Sequence, residues 1–132
     1  MRIAITVWND HLATVADFSR RLRLVDLEHG RTTRQLELDA PGKDATVWVA
    51  RLASAEVTTL LCGTITRQLG LHLTQAGITV VDGCVGPVDE VLAAWQAGAL
   101  DQPRYRVPRP PPSAWRMEVT NSKKIGRIRP AP

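Results

Sequence analysis

The stretch RIAITVW, Arg2 to Trp8, sets Ile3, Ile5 and Val7 on one face and Ala4 on the other. That period-2 alternation predicts a central strand. Asn9, Asp10 and His11 interrupt it. From Arg21, RLRLVDL alternates Leu22, Leu24 and Asp26 against Arg23, Val25 and Leu27, and RTTRQLEL continues with an alternation tolerant of polar residues. Glu28–His29–Gly30 separates the two runs, which predicts a hairpin whose turn uses Gly30 for its positive φ.

After Pro41–Gly42 the period changes. Ala45, Trp48, Leu52 and Ala55 fall at helical spacing, with Asp44 placed to cap the first turn. VTTLLCG reads as a short buried strand. Ile65, Leu69 and Leu73 form the stripe of a second helix that stops at Gly77, and Gly70 inside it weakens the propensity. ITVVDG is another strand. Val88, Leu92 and Trp95 mark a third helix, with Pro87 at its first position and Gly98 past its end.

The predicted order is β-β-β-α-β-α-β-α, an α/β fold, with the segment 57–82 as a right-handed parallel crossover. Ligands of such open sheets bind beyond the carboxyl ends of the parallel strands. Trp8–His11, Cys62–Thr64 and Gly83–Gly86 would meet there if the first strand runs parallel to the two later ones.

The length of 132 residues suits one domain. Composition divides it at about residue 103, into an α/β domain, 1–102, and a tail, 103–132. Seven of the nine prolines lie from Pro103 onward, which predicts polyproline II. Charge divides at the same place. Residues 1–103 hold 9 basic and 12 acidic side chains, a net of −3, and residues 104–132 hold 8 basic ones against Glu118, a net of +7. No apolar run approaches the ~20 residues of a membrane span. The N-terminus reads as a strand rather than a signal peptide, and two cysteines without a CxxC motif make no disulfide framework. A cytoplasmic protein is expected.

The chemistry is concentrated in VVDGCVGPVDEV. Cys84 lies between Gly83 and Gly86, and Cys62 ends the neighbouring strand. Thiolates bind soft metals and iron–sulfur clusters, and His11 offers a third soft ligand. Each residue also has a plainer role. Buried cysteine often only packs, His11 suits a solvated loop, and the two glycines can simply make the turn. Gly83-x-x-Gly86 before a helix can also cradle an anion. His72 is expected on the surface and His29 in a turn. Asp10 and Asp82 are too isolated for two-metal nuclease chemistry, and no nucleophile–base arrangement or P-loop occurs, so catalysis is not expected.

The order of elements, with MRIAITV, VADFSR…LRLVDLEHGR, LLCG and LTQAGITVVDGCVGPVDEVLAAWQAGAL, resembles the dinitrogenase iron–molybdenum cofactor biosynthesis family (NifX, NifB C-terminal and NafY-like proteins) over roughly residues 1–100. The resemblance implies a ribonuclease H-like mixed sheet. It also implies a small non-catalytic carrier or accessory protein for an iron–sulfur or molybdenum–iron–sulfur cluster. Cys84, Cys62 and His11 would be the metal ligands, and Gly63, Thr64, Gly83 and Gly86 the cofactor-binding backbone. Two departures stand out. Asp17–Phe18–Ser19–Arg20 replaces the family's His-Phe-Gly-Arg, and Gly63–Thr64–Ile65–Thr66 replaces its Gly-Gly-x-Gly.

The tail adds Arg104, Arg106, Arg109, Arg116, Lys123, Lys124, Arg127 and Arg129 with Tyr105 and Trp115. This cationic, aromatic composition suits docking on a client or scaffold protein with an acidic surface, and nucleic acid is the alternative partner. The competing reading of the whole chain is an interaction module with a decayed ligand site that works through this tail.

Overall fold

In the computed structural model, which describes residues 1–100 and Tyr105, the alternation of the first strand is realised as read. Ile3, Ile5 and Val7 of β1 (Arg2–Trp8) bury on one face and Ala4 on the other. β3 (Arg21–Glu28) pairs antiparallel with β1, and β4 (Arg31–Asp39) antiparallel with β3. Their turn puts His29 at φ 53° and Gly30 at φ 76°, the paired left-handed residues of a type I′ hairpin.

Helix α1 (Ala45–Ser54) buries Trp48 and Leu52, and the Asp44 carboxylate caps it by accepting the Thr46 N–H. The indole N–H of Trp48 donates to the Gly42 carbonyl at 2.7 Å, so its one polar atom is satisfied in the core. Truncating such a residue costs about 3–5 kcal/mol. β5 (Thr59–Leu61), α2 (Arg67–Gln75), β6 (Thr79–Val81) and α3 (Val88–Gln96) complete the fold. β1, β5 and β6 are mutually parallel, and the sheet order is β4-β3-β1-β5-β6.

Two short elements escape the sequence pattern, a 3-10 turn at Ala16–Phe18 and a strand. His11–Leu12 forms a short β2 that folds back on β1, with Trp8 opposite His11. Asn9 at φ 50° and Asp10 at φ 63° make the turn, again both left-handed. What reads as an interruption is a second tight hairpin.

The sheet divides the core in two. On one face Ile3, Ile5, Val7, Val25 and Leu61 pack with α3. On the other Ala4, Leu22, Leu24, Leu60 and Val80 pack with Trp48, Leu52, Leu69 and Leu73 of α1 and α2. Tyr105 is 9% exposed and belongs to the α3-side cluster, and its carbonyl accepts the Val85 N–H at 2.8 Å. Its expected role as an interface anchor is thereby corrected: the ring serves this chain's own core. Among the described residues no helix is long and apolar enough to cross a membrane.

Candidate functional site

The carboxyl edge of the parallel strands carries two turns side by side, Cys62–Thr66 before α2 and Asp82–Pro87 before α3. Backbone bonds knit them together: Cys84 N–H donates to the Cys62 carbonyl at 2.9 Å and Gly83 N–H to the Gly63 carbonyl at 2.8 Å. The convergence expected from the topology is present in the backbone.

The thiols do not follow it. Cys62 is fully buried in the cluster of α1 and α2, whereas Cys84, 2% exposed, lies in the cluster of α3. Their side chains pack into the clusters on opposite faces of the sheet. Gly83 causes this, because its φ of 75° breaks the period-2 alternation that would have put Cys84 on the same face as Val80 and Cys62. The Cys84 thiol donates to the Val81 carbonyl at 3.4 Å. The two expected thiol ligands are therefore buried in different core clusters, and a guest bridged by both sulfurs would have to draw each out of its packing.

His11 is exposed on β2, with its ring Nδ1 3.1 Å from the Asn9 carbonyl. It does not join either thiol. Among the described residues no group of three or more His, Cys, Asp or Glu side chains is placed to hold a metal ion.

The expected backbone cradle is also filled by the protein itself. A Cβ added to Gly63 would collide with the Ala13 carbonyl oxygen and stand 2.5 Å from that of Thr14. Gly63 is there so that the loop between β1 and β3 can cross it. Thr64 donates both its N–H (2.9 Å) and its hydroxyl (3.0 Å) to the Thr14 carbonyl, and Ala16 N–H donates back to the Thr64 carbonyl at 2.8 Å. Leu12 N–H donates to the Gly86 carbonyl at 2.9 Å. Asp17, standing where the resembled family has histidine, accepts the Thr66 N–H at 2.9 Å and its hydroxyl at 2.6 Å. That carboxylate ties the loop to the start of α2, where the helix dipole favours negative charge.

Pro87 is the cap of α3 rather than its first residue, and no side chain caps that helix. The Asp10 carbonyl accepts the Val88 N–H at 2.9 Å instead. Asp10 itself is exposed and bridged to Arg23 at 2.8 Å.

Beside the closed mouth lies an open groove of about 330 Å³ lined by Val7, Trp8, Ala13, Val15, Phe18 and Arg20 among others. Trp8 and Phe18 are 60% and 62% exposed, and the Lys43 ammonium sits 5.3 Å above the Phe18 ring, a cation–π contact. Lys43 has no signature in the sequence pattern, and Phe18 shows there only as part of a departure from the resembled family. The available signal was an aromatic set in the polar string Asp17–Phe18–Ser19–Arg20. The expected partner-binding residues Arg104, Arg106, Arg109, Trp115, Arg116, Lys123, Lys124, Arg127 and Arg129 lie outside the described residues.

No protein-family model and no curated protein matches the chain. Solved structures do. The chain is similar to PH0822, with TM-score 0.70 at 20% identity, covering 88% of this chain and 98% of that one. It is similar to a "putative dinitrogenase (mj0327)" from Methanocaldococcus jannaschii, with TM-score 0.62 at 13% identity, covering 75% and 90%. A third likeness is to a "putative NifB protein" from Thermotoga (TM1290), which belongs to the DUF35 family, with TM-score 0.56 at 25% identity, covering 74% and 89%. The mixed-sheet α/β fold expected from the sequence is the fold these proteins share.

Proposed function

We propose that this chain is a non-catalytic accessory protein of the nitrogenase-cofactor-related group, acting in the cytoplasm by docking a client protein rather than by holding a cluster between its thiols. The observation that carries the reading is the burial of Cys62 and Cys84 in clusters on opposite faces of the sheet, together with a mouth tied down by the 9–20 loop. The likeness to the NifB-type protein supports the cofactor-related setting. The basic tail, with its +7 net charge against −3 for the rest, is the element suited to an acidic client surface. Nucleic acid would be the partner instead if the full chain bound it more tightly than an acidic protein at the same ionic strength, with affinity falling steeply as salt rises.

A second reading has one observation behind it. The Trp8–Phe18 groove opens at the same edge, with Arg20 in its lining and Lys43 beside it. An anionic iron–sulfur or molybdenum–iron–sulfur cluster carried as cargo could sit there on cations and backbone without thiolate ligation. Anaerobic reconstitution with iron and sulfide separates the readings. Docking without carriage leaves the protein colourless and its metal content unchanged, while capture of an acidic client is lost on deleting residues 106–132. A charge-transfer absorption that Cys62→Ala and Cys84→Ala both reduce would overturn the first reading. One that only Arg20→Ala and Lys43→Ala reduce would establish the second.

A further inference from the structure

Among the described residues the sheet ends on a long edge strand with no neighbour beyond it. β4 runs nine residues, Arg31–Asp39, and is exposed along nearly its whole length. It contains neither proline nor lysine, two common means of blunting an edge strand. Its one irregularity is a bulge near Thr33, where the register with β3 shifts between Asp26 and Leu27. Residues 34–39 remain regular.

The direction of the free peptide groups follows from the ladder. Ala40 N–H donates to the Arg20 carbonyl, which makes the opposed pair 20 and 40 a hydrogen-bonded one. Arg34, Leu36 and Leu38, of the same parity, turn their peptide groups toward β3. By alternation Gln35, Glu37 and Asp39 turn theirs outward, the Asp39 carbonyl accepting from the Arg51 guanidinium at 3.4 Å. Leu36 is 47% exposed on this edge.

Charge along the strand is segregated. Arg31 and Arg34 occupy its first half, Glu37 and Asp39 its second. A parallel copy would set like charges side by side, whereas an antiparallel copy sets the basic half against the acidic half. Arg21 and Arg23 already bridge the two acids within the chain, so the apolar residue selects the register.

We propose that β4 pairs antiparallel with β4 of a second copy of this chain, about a two-fold axis through Leu36. In that register Gln35 exchanges peptide hydrogen bonds with Glu37 of the second copy, and reciprocally. The two Leu36 side chains face each other as a non-hydrogen-bonded pair, with Cα atoms about 4.5 Å apart. The contact is isologous and closes on itself, and mass action makes the dimer concentration-dependent.

The test uses the full chain. Sedimentation of the native protein over a wide concentration range should show the mass rising from one chain toward two. Leu36→Cys should form a disulfide-linked dimer on mild oxidation, because the pair falls within bridging distance. Arg34→Cys, whose copies are well separated in this register, should cross-link at least tenfold more slowly. The native cysteines are both buried, which keeps the background low. Gln35→Pro removes an outward N–H without touching the β3 ladder, and should abolish association while leaving the circular dichroism unchanged. A monomer at the highest soluble concentration would overturn the proposal, as would equal cross-linking at positions 34 and 36, or association surviving Gln35→Pro.

Discussion

The turns that lead into α2 and α3 do the same job and are built from different materials. Each takes a buried parallel strand through a glycine into a helix, and each is crossed by the loop of residues 9–20. At α2 the crossing is made by backbone and side chains together: the Thr64 N–H and hydroxyl both hold the Thr14 carbonyl, the Ala16 N–H holds the Thr64 carbonyl, and Asp17 holds Thr66. At α3 it is made by backbone, through the Asp10 and Gly86 carbonyls. The glycines differ too. Gly63 is required for lack of space and Gly83 for its positive φ. One loop thus ties down both turns, and backbone bonds join the turns to each other.

Substitution should separate the two turns, and the glycines should show it most strongly. Gly63→Val drives a side chain into the Ala13–Thr14 backbone, and such overpacking against main chain is expected to cost about 3 kcal/mol or more. Gly83→Ala puts a Cβ on a left-handed residue, a strain of about 1–2 kcal/mol. Chemical denaturation of the two variants measures the difference. Equal losses would mean that the loop does not lie against Gly63.

The acids come next. Asp17→Ala removes both bonds to Thr66 at the start of α2 and is expected to cost about 1–2 kcal/mol. Asp10→Asn keeps the backbone carbonyl that caps α3 and loses only an exposed bridge to Arg23, so its effect should stay within about 0.5 kcal/mol. Hydrogen exchange adds a spatial readout, with faster exchange in α2 for the first variant and none in α3 for the second.

How much of this was legible in the sequence depended on periodicity. The three helices announced themselves through Trp48–Leu52, Leu69–Leu73 and Val88–Leu92 spacing, and Asp44 as a cap needed no tertiary knowledge. The β3–β4 hairpin was legible from Gly30. Asn9–Asp10 was not, because no glycine marked the turn and β2 is too short to show alternation. The site was misread for a local reason. Counting by twos from Val80 puts Cys84 on the face of Cys62, and a single left-handed residue, Gly83, reverses that. Tyr105 was misplaced because it follows Pro103 in a basic, proline-rich stretch, and its burial depends on a core assembled from distant strands.

The smallest expected effect lies at the opposite end of the sheet from the two turns. Asp26 has its pKa held below the ordinary carboxylate value, first by the hydrogen bond from Arg2 and also by that charge. A folded-state value below the unfolded one stabilises the fold above the unfolded pKa, and that contribution disappears as pH falls through the folded value. Asp26→Asn should therefore flatten the acid side of the stability profile and leave the neutral side level. An acid limb unchanged by the substitution would remove this bridge from the picture.

Thiol reactivity in the native protein tests the sealed, separated cysteines most directly. With an excess of a small thiol reagent and no denaturant, Cys62 and Cys84 should each be modified only at the rate at which the fold opens, rising steeply with added denaturant. Modification of both within seconds in native buffer would contradict it, since an open mouth with two accessible sulfurs is the arrangement that the Gly63 crossing and the left-handed Gly83 rule out.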